Sequence, residues 1–380
     1  MSSEKSKIRF ISKKELEKRR GDVCLLRVDL NVGQSQEFDS FRTKSSLKTL
    51  NFLKDFFGGK VIIMSHRGRF EGGGSNKPYS MKPFREVFEN YLDEDVLFLP
   101  GFDFKKNRKI IKKSSNKFFV LENLRRNKGE QNESKEFGRK LASLGDFFIQ
   151  DAFGVMHRRN SSVSILPRFI PSFGGLLLQY ELNNLNEVLQ GLESPTSFVL
   201  GGAKVKTKLD VIGSLWDKID NFLVGGVVAN TFLAAKGEDI GNSRVEKDKL
   251  EECRKYLKGD KVFTPSNFRY EKDMIMDLGK ETVDFFEEKI KSSKSVIWNG
   301  PLGYFEKEPY AKASKRLARA LVNSKAKTFI GGGETTTLVS NMGLVDEFDF
   351  VSTGGGAMLK FLSGDNLAGI KALESTVTNY

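Results

Sequence analysis

Residues 198–204 read FVLGGAK, a short apolar run followed by two glycines, an alanine and a lysine. The run has the length of a buried β-strand, and glycine is typical of the tight turn that joins a parallel strand to the next helix. Such runs recur along the chain, each followed by glycine or a polar cluster and then by a helix-like stretch. This alternation predicts βαβ units and therefore parallel sheets.

The apolar runs fall into two series. Five predicted strands in the first half cover residues 23–28, 60–64, 96–99, 118–121 and 147–150. Six predicted strands in the second half cover residues 198–200, 222–224, 262–264, 295–298, 328–330 and 349–351. Amphipathic stretches lie between them, and residues 180–190 have apolar side chains at the spacing of a connecting helix. We therefore predict an α/β fold of two doubly wound, mostly parallel-sheet domains joined by a helix.

The composition is that of a soluble globular protein, with 39% hydrophobic and 29% charged residues in a chain of 380. Residues 1–20 lack the apolar segment of a secretory signal, and no apolar run approaches the ~20 residues that a membrane-spanning helix needs. The two cysteines, Cys24 and Cys253, are far apart and match no metal spacing. We expect a reduced, cytoplasmic protein without a membrane partner.

The net charge of +13 is concentrated in one half of the chain. Residues 1–190 contain 35 Lys and Arg against 23 Asp and Glu, whereas residues 191–380 contain 27 against 26. A positive first half can attract nucleic acid, an anionic membrane surface or a small phosphorylated or carboxylate substrate. Charge alone does not choose among these, and a solvated lysine-rich surface is the commonest explanation for such an excess.

In open α/β sheets, ligands bind outside the carboxyl ends of the strands, so the residues that follow each strand are site candidates. In the first half, these residues are mostly basic or amide: Asp29, Asn31, His66, Arg69, Asn123, Arg125, Asp151, His157 and Arg158. Each one alone is more often structural than functional. Their recurrence at successive strand ends predicts a site for a small anion.

In the second half, the predicted strand ends are rich in glycine. They read GGAK at 201–204, GG at 225–226, NGP at 299–301, GGGET at 331–335 and STGGG at 352–356. Glycine lets the backbone approach a ligand closely, and the helix starts beyond it offer amides to phosphate. Glu334 lies inside one of these turns and could hold Mg²⁺ on a nucleotide. The chain has neither a Walker A sequence nor a Rossmann fingerprint, so this phosphate site is of another kind.

At these residues the sequence resembles the phosphoglycerate kinase family. The matching strings are RVDLN, MSHRGR, LENLR with a following GE, DAFGVMHR, GGAKVKTK, GGVVANTF, WNGPLGYFE, GGGET and STGGGA. They occur in the order of the family and span residues 27–357, nearly the whole chain. WNGPLGYFE and STGGGA are the most specific of them.

The resemblance implies an enzyme that reversibly transfers a phosphoryl group between Mg-ATP and 3-phosphoglycerate, giving ADP and 1,3-bisphosphoglycerate, in glycolysis and gluconeogenesis. It implies a 3-phosphoglycerate domain over 1–170, a nucleotide domain over 171–367 and a tail over 368–380 that packs on the first domain. A hinge would close the two domains, and the family is usually monomeric. Small-molecule substrates are the implied partners, with no nucleic acid as a primary partner.

The resemblance also assigns roles to individual residues. The implied 3-phosphoglycerate ligands are Asp29, Asn31, Arg42, His66, Arg69, Arg125 and Arg158. The implied nucleotide ligands are Gly201, Gly202, Ala203, Lys208, Gly225, Gly226, Asn299, Pro301, Glu306, Gly332, Gly333, Glu334 and Thr335, with Glu334 at the Mg²⁺ position. The groups implied to act on the moving phosphoryl group are Arg42, Lys204, Gly333 and Gly356.

Several residues depart from the family pattern. Glu334 replaces the usual aspartate, Asn160 replaces a histidine and Thr207 replaces an acid. Glu334 can still bind Mg²⁺, whereas Asn160 cannot become cationic. A catalytically weak relative that acts as a binding protein is the alternative within the family, and the presence of Arg42 and Lys204 argues against it. A nucleic-acid-binding protein is the alternative from another class, but the aromatic residues fall on predicted core positions instead of a basic face.

The charge asymmetry leads to a prediction about salt. We expect the KM for 3-phosphoglycerate to rise with salt more than the KM for ATP, because the Debye length shrinks from about 10 Å at 0.1 M to about 3 Å at 1 M. Reversing the charge of several lysines within residues 105–117 should mimic added salt. Steady-state kinetics at several salt concentrations measure this effect. An equal response of both substrates, unaffected by the reversals, would leave only a solvated surface.

Overall fold

The computed structural model of the protein describes residues 8–32, 38, 40–68 and 79–376. These residues form two compact units. The first contains the described chain up to Leu182 together with the residues from Asn366 onward, and the second runs from Asn183 to Asp365. Each unit is built on a six-stranded sheet in which every pair of neighbouring strands is parallel. The predicted fold class is therefore confirmed.

The first sheet contains β1 (Val23–Arg27), β2 (Lys60–Met64), β3 (Val96–Leu99), β4 (Phe118–Leu121), β5 (Phe147–Gln150) and β6 (Ser172–Gly174). Its strand order is β3-β4-β2-β1-β5-β6. The helices of this unit are α1 (Lys13–Glu17), α2 (Phe41–Phe56), α3 (Phe84–Leu92), α4 (Phe104–Lys113), α5 (Lys128–Gln131), α6 (Lys135–Ala142) and the C-terminal helix, Ala368–Ser375. A further helix, α7 (Leu176–Gln190), crosses the division between the units.

Alternate residues of the first sheet pack into two separate cores, as the period of a β-strand requires. Leu26 of β1 belongs to one core, which also contains Leu53 of α2 and Phe88 of α3. Its neighbour Leu25 belongs to the other core, which contains Leu141 of α6. The central strands are thus covered by helices on both faces, and this burial explains their nearly continuous apolar sequences.

The second sheet contains β7 (Thr196–Leu200), β8 (Asn221–Val224), β9 (Val262–Phe263), β12 (Ser295–Asn299), β13 (Lys327–Gly331) and β14 (Phe350–Val351), and a separate two-stranded antiparallel sheet pairs β10 (Phe268–Glu271) with β11 (Met274–Leu278). The order of the six-stranded sheet is β14-β13-β12-β7-β8-β9. The helices of this unit are α8 (Val205–Ser214), α9 (Gly226–Lys236), α10 (Leu250–Leu257), α11 (Lys280–Ser292), α12 (Lys312–Val322), α13 (Gly333–Asn341) and α14 (Gly355–Leu362). The Ala368–Ser375 helix of the first unit is α15.

The predicted strand count was wrong for the first sheet, which has six strands and not five. The missed strand, β6, has only three residues, and they include serine and glycine, so its sequence carries no apolar run. The β10–β11 hairpin was also missed. Its turn residues Lys272 and Asp273 both have positive φ, of 47° and 63°. This Lys-Asp pair differs from the asparagine–glycine pair that usually indicates such a turn.

The boundary between the units lies inside α7. Residues 171–182, which the sequence analysis placed in the second domain, lie in the first unit because β6 pairs with β5. Two groups hold the start of α7 there. Asp151, which follows β5, accepts a hydrogen bond from Leu178 N at 3.0 Å, and Thr49 Oγ1 accepts one from Leu176 N at 3.0 Å. The chain returns to this unit in α15, where Gly369 N donates to Met156 O at 2.9 Å.

Within the described ranges, no helix combines the length and the apolar character needed to cross a membrane.

Candidate functional site

In the first unit, the site begins with Arg27, the last residue of β1. Arg27 is only 1% exposed. Its Nε donates to Ser162 Oγ at 3.0 Å, its Nη1 donates to Val28 O, and its Nη2 lies 3.0 Å from His66 Nδ1. Burial lowers the pKa of Arg27, and the nearby carboxylate of Glu130 acts in the opposite direction. Glu130 is itself held by the Ser162 hydroxyl at 2.6 Å and the Ser162 amide at 2.9 Å.

The contact with Arg27 sets the tautomer of His66. A guanidinium has no acceptor, so Nδ1 of His66 must accept and the ring proton must lie on Nε2. His66 is 2% exposed, and its Nε2 is buried without a hydrogen-bond partner among the described residues. Burial, followed by the charges of Arg27, Arg125, Arg158 and Arg42, holds the pKa of His66 well below its ordinary value. His66 is therefore a neutral ring that presents one unused N–H donor.

Asn31, Gly68 and Arg125 form a continuous chain of hydrogen bonds at the same sheet edge. Asn31 Oδ1 accepts from Gly68 N at 2.9 Å, and Arg125 Nη1 donates to Gly68 O. Arg42 Nη1 donates to Asn31 O at 3.1 Å and lies 3.8 Å from Asp29 Oδ2. The backbone groups of Gly68 and Asn31 thus link four of the predicted residues, Asp29, Asn31, Arg42 and Arg125.

The positive charges of this edge are close enough to affect one another. Burial, then the charges of Arg158 and Arg27, lower the pKa of Arg125 to about 10. Arg158 is exposed. Such a concentration of like charge is unfavourable without an anion. The arginine cluster, which comprises Arg27, Arg125 and Arg158, is therefore suited to bind an anion. Arg69, the remaining predicted ligand, lies outside the described residues.

Two other polar residues near this edge have structural contacts. Asn123 donates from Nδ2 to Arg67 O at 2.7 Å and to Tyr79 O at 2.9 Å. Asn160, which departs from the family pattern, is buried and donates to Glu130 O at 3.2 Å. Both amides therefore hold the backbone around the arginine cluster.

In the second unit, three strand-end turns are joined through their backbones. Gly202 N donates to Pro301 O at 2.8 Å, and Gly226 N donates to Leu302 O at 2.8 Å. A Cβ atom at Gly201 would clash with Pro301 O, so this close approach requires glycine. The predicted residues 201–202, 225–226 and 301 are thus brought together in one backbone-lined surface.

The starts of α13 and α14 meet beside this surface. Their N-cap residues are Gly332 and Gly354, neither of which supplies a side-chain cap. A Cβ at Gly355 would clash with the backbone of Gly332, so the two helix starts lie in contact. The side-chain nitrogen of Asn299 is buried without a partner in the described part of the chain. Two uncapped helix starts and an unused amide donor favour an anion at this place.

Lys208 adds a buried cation to the same edge. It is 5% exposed, and burial lowers its pKa to about 8. The charges of Glu334 and Glu246 act against that shift, whereas the charge of Lys204 adds to it. Lys204 and Glu334 are exposed. The structure therefore places Lys204, Lys208 and Glu334 in one electrostatic neighbourhood.

Two other predicted nucleotide ligands, Thr335 and Glu306, differ from each other in burial. Thr335 is fully buried, and its Oγ1 accepts from Gly300 N at 2.8 Å, so it supports the turn after β12. Glu306 is exposed and makes no hydrogen bond or ion pair with another described residue. It lies five residues beyond Pro301, at the end of the segment that carries the backbone-lined surface.

The predicted site residues did not include Arg27, Glu130 and Ser162 of the first unit or Glu246 of the second. Arg27 did carry a signal, because it is a charged residue inside the apolar run VCLLRV, and such a residue must be paired when the strand is buried. Glu130, Ser162 and Glu246 are recognisable only from the contacts that the fold creates.

Comparison with known proteins shows a match along nearly all of the chain. A family model described as "Phosphoglycerate kinase" matches residues 14–365. The phosphoglycerate kinase of Finegoldia magna is 36% identical over 92% of this chain and 95% of its own length. The phosphoglycerate kinase of Nitratiruptor sp. is 35% identical over 95% of this chain and 98% of its own length.

Solved structures are similar over the same extent. The phosphoglycerate kinase of Coxiella burnetii aligns with a TM-score of 0.79 at 29% identity and covers 96% of this chain and 99% of its own. The phosphoglycerate kinase of Pyrococcus horikoshii OT3 aligns with a TM-score of 0.84 at 28% identity and covers 95% of this chain and 98% of its own.

The geometry around His66 predicts its titration. We expect His66 to stay neutral, with its proton on Nε2, as the pH falls through the ordinary histidine pKa of about 6.5, because burial and the arginine charges lower its pKa. The chain has two histidines, so histidine-selective ¹⁵N NMR can resolve both, and a His66→Gln variant assigns the signals. A His66 ring that titrates near 6.5, or that carries its proton on Nδ1, would contradict this geometry.

Proposed function

Because this chain belongs to the phosphoglycerate kinase family, whose members transfer a phosphoryl group between ATP and 3-phosphoglycerate in glycolysis, we propose that it catalyses this transfer. The observation that carries the proposal is the pairing of two kinds of anion site on the two sheets. One sheet edge holds a cluster of arginines, and the other holds uncapped helix starts with a buried lysine. These features suit a small phosphorylated acid and a nucleotide, respectively.

We assign the first unit to 3-phosphoglycerate. This substrate carries a phosphate and a carboxylate, and charge-assisted hydrogen bonds from arginine are suited to both groups. Support comes from the mutual repulsion of Arg125 and Arg158 and from the unused Nε2–H of His66. The proposed ligands are Asp29, Asn31, Arg42, His66, Arg69, Arg125 and Arg158.

We assign the second unit to the nucleotide. The backbone-lined surface would receive the adenosine, and Glu306 the ribose hydroxyls. The phosphates would approach the start of α13, Asn299 and Lys208, where the donors are unused or buried. The proposed ligands are Gly201, Gly202, Ala203, Lys208, Gly225, Gly226, Asn299, Pro301, Glu306, Gly332, Gly333, Glu334 and Thr335.

Magnesium fits this site as an ion bound jointly by the protein and the nucleotide. No group of three or more His, Cys, Asp or Glu side chains in the described ranges could hold a metal ion by itself. A single carboxylate together with phosphate oxygens is a common environment for Mg²⁺. Glu334, near the start of α13, would supply that carboxylate. When bound, the ion would neutralise charge on the phosphates.

Phosphoryl transfer requires positioning and charge neutralisation and needs no nucleophile from the protein. We propose that Arg42 and Lys204 neutralise the equatorial oxygens of the moving phosphoryl group from opposite sides. The backbone amides of Gly333 and Gly356, at the starts of α13 and α14, would add fixed donors.

The two substrates bind to different units in this proposal, so they must be brought into line and shielded from water. We propose a hinge closure for this step. We also propose a cytoplasmic monomer without a nucleic-acid or membrane partner, on the basis of the family resemblance and the composition. The first domain would cover 1–170 and the second 171–367, with a tail over 368–380. Residues 171–182 are the exception, because they lie in the first unit.

A coupled assay with Mg-ATP and 3-phosphoglycerate tests the function, and Lys204→Ala tests the mechanism. We expect the wild type to turn over and Lys204→Ala to lower kcat by ~10²–10³ with a smaller change in either KM, because one preorganised charge is removed from the transition state. The matched control is Lys206→Ala, which removes an exposed lysine two residues away on the same helix. Near-wild-type kcat in Lys204→Ala would refute its role, and an inactive wild type would refute the function.

Glu334 leads to a second prediction. Glu334→Gln should weaken binding of Mg-ATP more than binding of ATP in the presence of a chelator, because an amide keeps an oxygen ligand but loses the charge. Glu334→Asp should remain active, since the family usually has aspartate at this position. Calorimetry with and without Mg²⁺ measures the difference, with Glu308→Gln as an exposed control. Equal weakening in both conditions would show that Glu334 contacts no metal.

A further inference from the structure

A short segment before α10, residues 243–246, is held at three points by its neighbours. Ser243 Oγ accepts from Ile275 N of β11 at 2.8 Å. Arg244 O accepts from the Asn230 side chain of α9 at 3.2 Å, and Glu246 N donates to Thr231 Oγ1 of α9 at 3.3 Å. Because these contacts come from two different elements, the backbone position of Glu246 is well determined.

The carboxylate of Glu246 is directed at the start of α8. Its Oε1 accepts from Val205 N at 3.1 Å, and its Oε2 accepts from Lys206 N at 3.4 Å. The residue at the N-cap position is Lys204, whose side chain has no acceptor and makes no capping bond. Glu246, 41 residues away from Val205 in sequence, therefore performs the capping that the local sequence cannot.

The capping by Glu246 distinguishes the start of α8 from the starts of α9, α13 and α14 in the second unit. The first amides of α9, those of Gly226 and Val227, donate to the carbonyls of Leu302 and Gly202. The starts of α13 and α14 have only glycine at their N-caps. An anion is thus directed to α13 and α14, while the first two amides of α8 are engaged by the carboxylate of the protein itself.

Helix α8 carries both lysines of the proposed phosphate site. Lys204 is its N-cap residue, and Lys208 lies one turn further along. Capping fixes the first turn of a helix and the direction of the side chains on it. The charge of Glu246 also reaches Lys208, which it helps to keep protonated in a buried position.

We propose that Glu246 is a positioning residue for phosphoryl transfer, which locks the first turn of α8 so that Lys204 is aimed at the moving phosphoryl group. The role rests on the function proposed above. It predicts an effect on kcat that depends on Lys204, since the carboxylate of Glu246 is engaged by the first amides of the helix that presents Lys204. A purely structural cap would lower stability in the same way whether or not Lys204 is present.

A double-mutant cycle on the full-length protein tests this role. We expect Glu246→Ala to lower kcat about 10-fold or more, since small displacements of catalytic groups are costly, and Glu246→Gln, which keeps one acceptor oxygen, to recover part of the loss. In the Lys204→Ala background, Glu246→Ala should change kcat by less than about 2-fold, because the group that it positions is already absent. The control is Glu251→Ala, which removes an exposed acid on α10. An equal loss of kcat in both backgrounds would overturn the proposal.

Amide hydrogen exchange provides a readout that does not need activity. The peptide that contains residues 204–208 should exchange at least about 10-fold faster in Glu246→Ala than in the wild type or in Glu251→Ala, because two capped amides are released. Unchanged exchange would overturn the proposal, as would faster exchange with unchanged kcat in an active enzyme. A wild type without kinase activity would refute the proposed function, whereas the exchange result would still decide whether Glu246 holds α8.

Discussion

Parallel pairing of every strand in the two main sheets is the constraint from which the candidate sites follow. Parallel strands end at the same edge, so residues that are distant in sequence become neighbours there. Arg27 ends β1, and His66 follows the adjacent strand β2. Although these residues are 39 positions apart in sequence, Arg27 Nη2 lies 3.0 Å from His66 Nδ1. The same geometry joins Gly202 to Pro301 in the second unit, across nearly one hundred residues. Neither site could be assembled from a single loop.

The first unit buries positive charge at its candidate anion site. A guanidinium as buried as that of Arg27 is stable only when its donors are used, and Ser162, Val28 and His66 use them, with Glu130 supplying opposite charge. The same network makes His66 a neutral donor. Packing and ligand chemistry therefore depend on one buried group, because the residue that completes β1 also sets the tautomer of the ring at the site.

The second unit relies on backbone dipoles. Its turns contain glycine where a Cβ would clash, which lets strand ends and helix starts lie in contact. The helix starts are then distinguished by what occupies them: a distant carboxylate at α8, carbonyl groups at α9, and only glycine N-caps at α13 and α14. This division would send phosphate to the last two helices and leave α8 free to present its lysines.

The sequence by itself determined the fold class, the eleven strands of the two main sheets that have apolar runs of detectable length, and the strand ends at which polar residues and glycines concentrate. These features are local, because period, turn chemistry and composition act over a few residues. The sequence did not predict β6, because a strand of three residues carries too weak a pattern. It did not predict the β10–β11 hairpin either, because the turn of this hairpin contains no glycine. Only the tertiary structure decided that Arg27 directs the proton of His66, that Thr335 supports a turn and that Glu246 caps α8. Each of these depends on which donors and acceptors remain unused after distant segments pack, and no local pattern records that outcome.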